Sequence, residues 1–203
     1  DRTAGCPDGS IDRAVDAARA AFEAGSWRQF QPAERARQLV DLADALDENA
    51  DELARLETRQ NGKLIREMRA QMSGLGEYFR YYASLCRTET GRTVPVENKG
   101  GDFFTYVQRE PYGVVAAVTP WNSPLLLTAF KLAPALAAGC TFVHKPSSHT
   151  AVSALRFAEI LHDAGLPDGV YNVVTGSGGT AGDALVNHDD VDKVAFTGST
   201  AVG

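Results

Sequence analysis

Residues 113–145 have the sequence GVVAAVTPWNSPLLLTAFKLAPALAAGCTFVHK, and this segment decides the fold. Gly113–Val118 is a short apolar run of the kind found in buried strands. A helix is predicted over Pro124–Leu136, because proline suits a first helical turn, and Gly139 ends it. A second apolar run, Cys140–His144, follows. The segment therefore predicts a strand, a helix and a second strand in succession.

The same alternation continues toward the end of the chain. Helices are predicted over Ala151–Ala164 and Gly179–Val186, and strands over Tyr171–Val174 and Lys193–Phe196. Near-continuous apolar strands joined by helices predict an α/β fold with a parallel sheet and helices on both faces. Ligands of such sheets bind at the carboxyl ends of the strands. The candidate site segments are therefore Thr119–Asn122, Lys145–Ser148, Thr175–Gly178 and Thr197–Ser199.

The N-terminal part of the chain is predicted to be helical. Helices are expected over Ser10–Gly25, with the serine as N-cap, over Pro32–Asn61, and over about Leu64–Phe79. The methionine and aromatic positions of the third helix are expected in the core. Glu57 and Arg66 are expected on the solvated surface.

Residues 91–109 differ in character from the segments on either side. Thr93–Val96 and Phe103–Val107 are predicted strands, and Asn98–Gly101 is rich in turn residues, so the segment predicts a β-hairpin. A two-stranded hairpin is only marginally stable in water. We therefore expect it to pack against a partner subunit or against sequence beyond this chain.

The composition argues against several classes of protein. A formal net charge of -6 argues against binding to nucleic acid or to an anionic membrane. Cys6, Cys86 and Cys140 have no spacing typical of metal ligands, so neither a zinc site nor a disulfide framework is expected, and Cys140 is expected in the core. No apolar run approaches the roughly 20 residues of a membrane span. The N-terminus lacks the pattern of a signal peptide, so the expected location is the cytoplasm.

Three strand ends carry groups that suit an anionic nucleotide. Gly176–Ala181 matches the pattern GxGxxA between a strand and a helix, but no acidic residue stands at the next strand end, so an ordinary turn remains an alternative. Gly198 and Ser199 suit a phosphate site at a helix start, or Ser199 or Thr200 is an ordinary cap of that helix. Lys145 can donate to a ribose or a phosphate, or it is a solvated surface lysine.

Pro120–Pro124 is the most unusual strand end. Two prolines fix the backbone around Asn122, whose amide can donate a hydrogen bond to a developing oxyanion. A helix-capping role for Asn122 or Ser123, beside a packed Trp121, explains the same residues equally well.

Four segments together closely resemble the aldehyde dehydrogenase superfamily in their order and spacing: PWNSPL at 120–125, HKPS at 144–147, GLPDGV at 165–170 and VAFTGST at 194–200. The resemblance covers nearly the whole chain. It implies a Rossmann-like coenzyme-binding domain, formed by a helical part at residues 1–90 and an incomplete core at residues 111–203. The hairpin at 91–110 would be the oligomerisation arm of a homodimer or homotetramer.

The resemblance also implies roles for individual residues. Asn122 matches the asparagine of the family's oxyanion hole, Lys145 matches the lysine that binds the adenosine ribose, and Gly198 and Ser199 match the pyrophosphate contacts. The other cofactor positions implied are Thr119, Pro120, Trp121, Gly178, Gly182 and Phe196. The implied cofactor is NAD or NADP, the implied substrate is a small aldehyde, and no metal is implied.

Ser148 departs from the family's pattern. Many NAD-preferring members have a glutamate at this position, three residues after the lysine, and it accepts hydrogen bonds from both ribose hydroxyls. Since Ser148 brings no carboxylate, a 2′-phosphate meets no charge repulsion there. NADP is therefore expected to be tolerated or preferred.

The family's nucleophilic cysteine and base glutamate both follow the FTGST motif, and this chain stops at Gly203 before either. The chain alone is therefore expected to be inactive, as a fragment of an enzyme that oxidises an aldehyde to a carboxylic acid through a thiohemiacetal. Two alternatives remain. One is a CoA-acylating or semialdehyde dehydrogenase on the same fold, and the other is a non-catalytic nucleotide-binding fragment.

Overall fold

The computed structural model describes residues 5–7, 9–96 and 103–203. Its helices are α1 (Ser10–Ala24), α2 (Pro32–Glu48), α3 (Ala50–Asn61), α4 (Ile65–Met72), α5 (Leu75–Leu85), α6 (Pro124–Ala138), α7 (Ala151–Asp163) and α8 (Asp183–Val186). Its strands are β1 (Arg92–Thr93), β2 (Tyr106–Val107), β3 (Val114–Val118), β4 (Thr141–Lys145), β5 (Tyr171–Val173) and β6 (Lys193–Phe196).

The four longer strands form one parallel sheet in the order β5-β4-β3-β6. Val118, the last residue of β3, pairs with Lys145 of β4 on one side and with Phe196 of β6 on the other. Three strands therefore end at the same level. The predicted parallel sheet is confirmed, and each of its four strands begins and ends within one residue of the predicted position.

Helices cover both faces of the sheet, because successive strand side chains point to opposite faces. Val115 and Phe142 belong to a large core that they share with helices α2 to α7. Val114 and Val143 belong to a smaller core on the other face, which includes side chains of α1 and α8. The predicted covering of both faces is confirmed.

Two predicted helices are each broken in two. The helix predicted over Pro32–Asn61 breaks at Asn49, and the one predicted over Leu64–Phe79 breaks at Ser73–Gly74. At both breaks a polar side chain donates to a carbonyl oxygen of the preceding turn, Asn49 to Ala45 and Ser73 to Ala70. Such bonds compete with continued helix. The apolar spacing continues across both breaks, so periodicity alone predicted single helices.

Two further helix starts differ from the prediction. Gly9, with φ of 73°, takes the N-cap position predicted for Ser10, whose hydroxyl instead accepts from Arg13. The helix predicted over Gly179–Val186 opens as a π-helical turn over Gly178–Gly182 and becomes α-helical only in α8.

The predicted hairpin is shorter than expected where it is described. Arg92 pairs with Val107 and Thr93 with Tyr106 in an antiparallel arrangement, and the predicted turn at residues 98–101 lies outside the described residues. The side chains of β1 and β2 are exposed. Within the described part of the chain, none of the helices has the length and apolar character needed to span a bilayer.

Candidate functional site

The segments that follow the parallel strands meet at one edge of the sheet. The backbone N–H of Thr119 donates to the carbonyl oxygen of Lys145 (3.2 Å), and the N–H of Thr197 donates to that of Val118 (3.1 Å). On the far side of β4, the N–H of Val174 donates to the carbonyl oxygen of His144 (2.9 Å). All four predicted site segments therefore lie side by side, as expected for strands spaced about 4.8 Å apart.

Lys145, the last residue of β4, is 3% exposed. The alternative of a solvated surface lysine is therefore wrong. Its Nζ donates to the carbonyl oxygen of Gly176 (3.1 Å), which is its one hydrogen bond to the described residues. Burial lowers the pKa of Lys145 below its ordinary value. Since an ammonium has three N–H donors, Lys145 can still donate to a ligand at this edge.

The loop after β5 leaves open space beside Gly178. A Cβ atom on Gly178 would meet no heavy atom within 4 Å among the described residues outside its own turn, whereas one on Gly182 would lie 3.5 Å from Cδ of Lys145. The hydroxyl of Ser177 accepts from the backbone N–H of Thr180 (3.2 Å) and so caps the π-helical turn. The turn therefore stabilises itself and still leaves room for a flat ligand group beside Lys145.

The loop after β6 is held by an element that the sequence did not point to. Lys131 of α6 donates from Nζ to the hydroxyl of Thr197 (2.5 Å), and burial lowers the pKa of Lys131. The carbonyl oxygen of Ser199 accepts from the N–H groups of Val202 and Gly203, so a hydrogen-bonded turn begins at Ser199, where the sequence predicts a helix start. A Cβ atom on Gly198 would lie only 2.4 Å from Cζ of Phe196, so a larger residue there would have to displace the exposed ring of Phe196.

Asn122 lies exposed between β3 and α6, next to Trp121, which is 52% exposed. Its side-chain amide makes no hydrogen bond to the described residues. Ser123 occupies the N-cap position of α6, but its side chain does not cap the helix. The capping alternative for these two residues is therefore wrong. The amide of Asn122 is free to donate to a ligand.

Glu57 of α3 provides the missing cap of α6. Its Oε1 accepts from the backbone N–H of Leu125 (2.9 Å), and the residue is completely buried. The prediction of a solvated Glu57 is wrong, whereas Arg66 is exposed as predicted. Burial raises the pKa of Glu57 to about 7, although the bond to Leu125 and the charge of Lys63 act in the opposite direction. Its position four residues after Leu53, on the buried face, was the signal for this in the sequence.

His144 forms a second buried polar contact beneath the same loop. Its Nε2 lies 2.8 Å from Oγ1 of Thr119 and 3.2 Å from Oγ1 of Thr128, and its Nδ1 lies 2.9 Å from the hydroxyl oxygen of Tyr171. Thr128 donates its own hydrogen to the carbonyl oxygen of Pro124 (2.8 Å). Nε2 is therefore the donor, and Nδ1 accepts from Tyr171.

This network is neutral at ordinary pH. Burial, with smaller effects from the charges of Lys145 and Lys131, lowers the pKa of His144 to about 3. Burial raises the pKa of Tyr171 well above its ordinary value. In the sequence, His144 appeared only as the residue before Lys145. The structure shows that it fixes Thr119, the first residue after β3.

The remaining predicted site residues lie at the same edge. Thr119 is buried, Pro120 is half-buried, and Ser148 is exposed in the loop between β4 and α7. Within the described residues, the side chain of Ser148 makes no hydrogen bond. The structure thus brings all of the predicted site residues to one edge of the sheet.

Comparison with known proteins gives consistent results. The sequence profile of the aldehyde dehydrogenase family matches residues 2–203. The chain is 48% identical over 194 residues to the NADP/NAD-dependent aldehyde dehydrogenase PuuC of Escherichia coli, covering 95% of this chain and 39% of PuuC. It is 47% identical over 209 residues to phenylacetaldehyde dehydrogenase of Pseudomonas fluorescens, covering 97% of this chain and 41% of that enzyme.

A solved structure shares the same fold. The NAD+ complex of an aldehyde dehydrogenase from Bacillus cereus superposes with a TM-score of 0.92 at 44% identity, covering 98% of this chain and 40% of that chain. The present chain thus spans about two-fifths of the length of the relatives it matches.

Proposed function

The chain belongs to the aldehyde dehydrogenase family, and we propose that it supplies the dinucleotide-binding part of an NAD(P)-dependent aldehyde dehydrogenase. The observation that carries this proposal is the buried ammonium of Lys145, which retains free donors beside the open space over Gly178. A buried cation without a carboxylate partner is costly. A nucleotide that accepts from it explains why a lysine stands there.

The residues present fit such a cofactor. Lys145 would donate to the adenosine ribose, Gly178 and Gly182 would leave room for the adenine edge, and Gly198 with Ser199 would contact the pyrophosphate. The backbone N–H groups at the start of the turn from Ser199 would be available to an anion. Lys131 would add a positive charge nearby, since it donates to the hydroxyl of Thr197, the residue before Gly198. When bound, NAD(P) supplies the acceptor for the substrate's hydride.

Asn122 would act on the substrate rather than on the cofactor. Its free amide would donate a hydrogen bond to the oxyanion that forms when a cysteine thiolate adds to the aldehyde carbonyl. Once this adduct has lost its hydride, a base-activated water would hydrolyse the resulting cysteine thioester, releasing the carboxylic acid and regenerating the thiol. This chemistry belongs to the complete enzyme, by which we mean this chain together with the catalytic segment that the relatives' pattern places after FTGST.

The cysteines of the described chain do not provide that thiolate. Cys140 is buried next to the first residue of β4, at the opposite end of the sheet from Asn122. Cys86 contacts the carbonyl oxygen of Ala137 near the end of α6, and burial raises its pKa. The sulfur of Cys6 accepts from the backbone N–H of Thr175, two strands away from β3. We therefore expect no turnover from residues 1–203 alone.

The proposed division of the chain follows from the same pattern. Residues 1–90 and 111–203 would form the coenzyme-binding domain, and residues 91–110 would form an arm that joins subunits of a homo-oligomer. The exposed aromatic side chains of Phe103, Phe104 and Tyr106 support this proposal, since an apolar surface of that kind favours burial against a partner.

Fluorescence titration of the protein with NAD and NADP tests the proposed site. Trp121 is the exposed tryptophan at the site and Trp27 is fully buried, so ligand binding is expected to change the emission of Trp121. Replacement of Lys145 by methionine is expected to weaken binding about 10- to 100-fold, as loss of a charge-assisted hydrogen bond does. Lys193→Met is the matched control, because Lys193 is exposed at the opposite edge of the sheet.

Absence of binding by the unaltered protein for both dinucleotides would refute the proposed function. Equal affinity in the unaltered protein and Lys145→Met would refute the role given to Lys145. The thermal midpoint of each variant shows whether a loss of affinity reflects a loss of folded protein.

Replacement of Ser148 by glutamate is expected to lower the affinity for NADP by at least about tenfold and to leave NAD binding within a few-fold, because like charges brought together at an interface repel by several kcal/mol. The same titration measures both dissociation constants. Ser84→Glu adds the same charge at an exposed position on α5 and serves as control. A parallel decrease in both affinities would show that Ser148 does not face the 2′-position.

A further inference from the structure

The carboxyl end of α3 caps two helices that are distant in sequence. Oε1 of Glu57 accepts from the N–H of Leu125 in the first turn of α6, and Oε1 of Gln60 accepts from the N–H of Val152 in the first turn of α7 (2.9 Å in each case). The first N–H groups of a helix have no partner within it, and the residue before the helix usually provides one. Here neither α6 nor α7 is capped by its own N-cap side chain.

A second contact from the same segment reaches the backbone of Asn122. Lys63 donates from Nζ to the hydroxyl oxygen of Ser123 (3.0 Å), and that hydroxyl donates to the carbonyl oxygen of Asn122 (2.7 Å). Lys63 is itself fixed, because its backbone N–H donates to Oδ1 of Asn61 (2.8 Å). Asn122 is therefore tied through Ser123 to the end of α3.

Stability alone does not explain the carboxyl group at position 57. Glu57 is completely buried, and its Oε2 has no hydrogen-bond partner among the described residues. Burying a carboxyl group with an unsatisfied oxygen costs folding free energy. What the group does provide is a fixed acceptor directly below the turn that carries Asn122.

We infer that Glu57 and Lys63 are positioning residues for the oxyanion-binding amide of Asn122, an inference that rests on the proposed function. Glu57 fixes the first turn of α6 from below through Leu125, and Lys63 fixes the residue between Asn122 and that turn. Both act through the backbone, so the amide of Asn122 stays exposed and free to donate. A catalytic hydrogen bond depends on such placement, since small displacements cost large factors in rate.

The test is steady-state kinetics of the complete enzyme with Glu57→Ala, Glu57→Gln and Lys63→Met. We expect Glu57→Ala to lower kcat about 10- to 100-fold and to leave the dissociation constant of NAD within twofold. Glu57→Gln is expected to recover most of the lost rate, because its amide oxygen can accept from the N–H of Leu125. Lys63→Met is expected to lower kcat less than Glu57→Ala does, since it leaves the cap of α6 in place.

Gln38→Ala is the matched control for a loss of stability. Gln38 of α2 donates to the carbonyl oxygen of Ala164 (2.8 Å), a long-range bond at the other end of α7. Its removal is expected to lower the thermal midpoint without changing kcat.

Two results would overturn the inference alone: unchanged kcat in Glu57→Ala while the unaltered enzyme turns over, or a rate in Glu57→Gln as low as that in Glu57→Ala. If the unaltered complete enzyme forms no NAD(P)H from any aldehyde, the proposed function fails and the inference fails with it.

Discussion

Replacement of Asn122 by alanine is expected to lower the kcat of the complete enzyme about 10²- to 10³-fold, which is the usual cost of removing one oxyanion-hole donor. The side chain is exposed at the carboxyl edge of the sheet and makes no hydrogen bond to the described residues. Its loss therefore leaves no buried group unpaired. The dissociation constant of NAD and the thermal midpoint are expected to stay close to those of the unaltered enzyme.

Asn122→Asp tests whether the N–H donor of the amide is the group that matters. Aspartate has nearly the same shape but no N–H donor, so it is expected to lose at least as much rate as alanine does. Asn187→Ala is the matched control, because Asn187 follows α8 and its amide donates, among the described residues, only to Asp183, the first residue of that helix. A kcat for Asn122→Ala within about threefold of the unaltered enzyme would exclude a role for this amide as the oxyanion donor.

The sheet could be predicted from the sequence because its strands are defined locally. β6 begins and ends at the residues predicted from the run KVAF, and the other three strands are shifted by at most one residue. β3 and β4 are buried on both faces, so a short apolar run between turn residues marks each of them directly. The breaks at Asn49 and Ser73 were not predictable in this way, because the apolar positions keep the same helical phase on either side.

The location of the site could be predicted from the sequence, but the long-range contacts that support its side chains could not. The carboxyl ends of the strands follow from the topology, and they place Lys145 and Asn122 at one edge. Whether a charged side chain is buried depends on residues far away along the chain. Glu57 contacts Leu125, 68 residues later, and Lys145 contacts Gly176, 31 residues later. The helical spacing from Leu53 indicates the burial of Glu57 but not its partner, and nothing local indicates the partner of Lys145, so Glu57 was placed on the surface and Lys145 was left undecided.

Acid is expected to destabilise the protein through His144. Its pKa is lowered from 6.5 to about 3 by burial in the folded state, whereas in the unfolded chain the imidazole binds a proton below about 6.5. Between these values the unfolded state binds more protons, so stability falls as pH falls. Between pH 6.5 and pH 3, this effect lowers the free energy of unfolding by at most about 5 kcal/mol.

Protonation of Glu57 has the opposite effect on stability over part of the same pH range. Its pKa is raised from 4.5 to about 7, so between these values the folded state binds more protons and stability rises as pH falls. The two effects therefore largely cancel between pH 6.5 and 4.5 in the unaltered protein. The free energy of unfolding is therefore expected to fall steeply only below pH 4.5. In Glu57→Gln this fall should begin at a higher pH, near 6.5.

Urea unfolding at a series of pH values, followed by the fluorescence of the buried Trp27, separates these effects. His144→Gln is expected to be less stable than the unaltered protein at pH 7, because its bonds to Thr119 and Tyr171 are weakened. The difference in free energy of unfolding between the two proteins should shrink by about 3 kcal/mol between pH 6.5 and 4.5. Only the unaltered protein loses stability in this range by keeping an imidazole neutral. His149→Gln changes an exposed histidine and should show no such trend. A deficit in His144→Gln that is the same at every pH would show that His144 is not held neutral in the folded state.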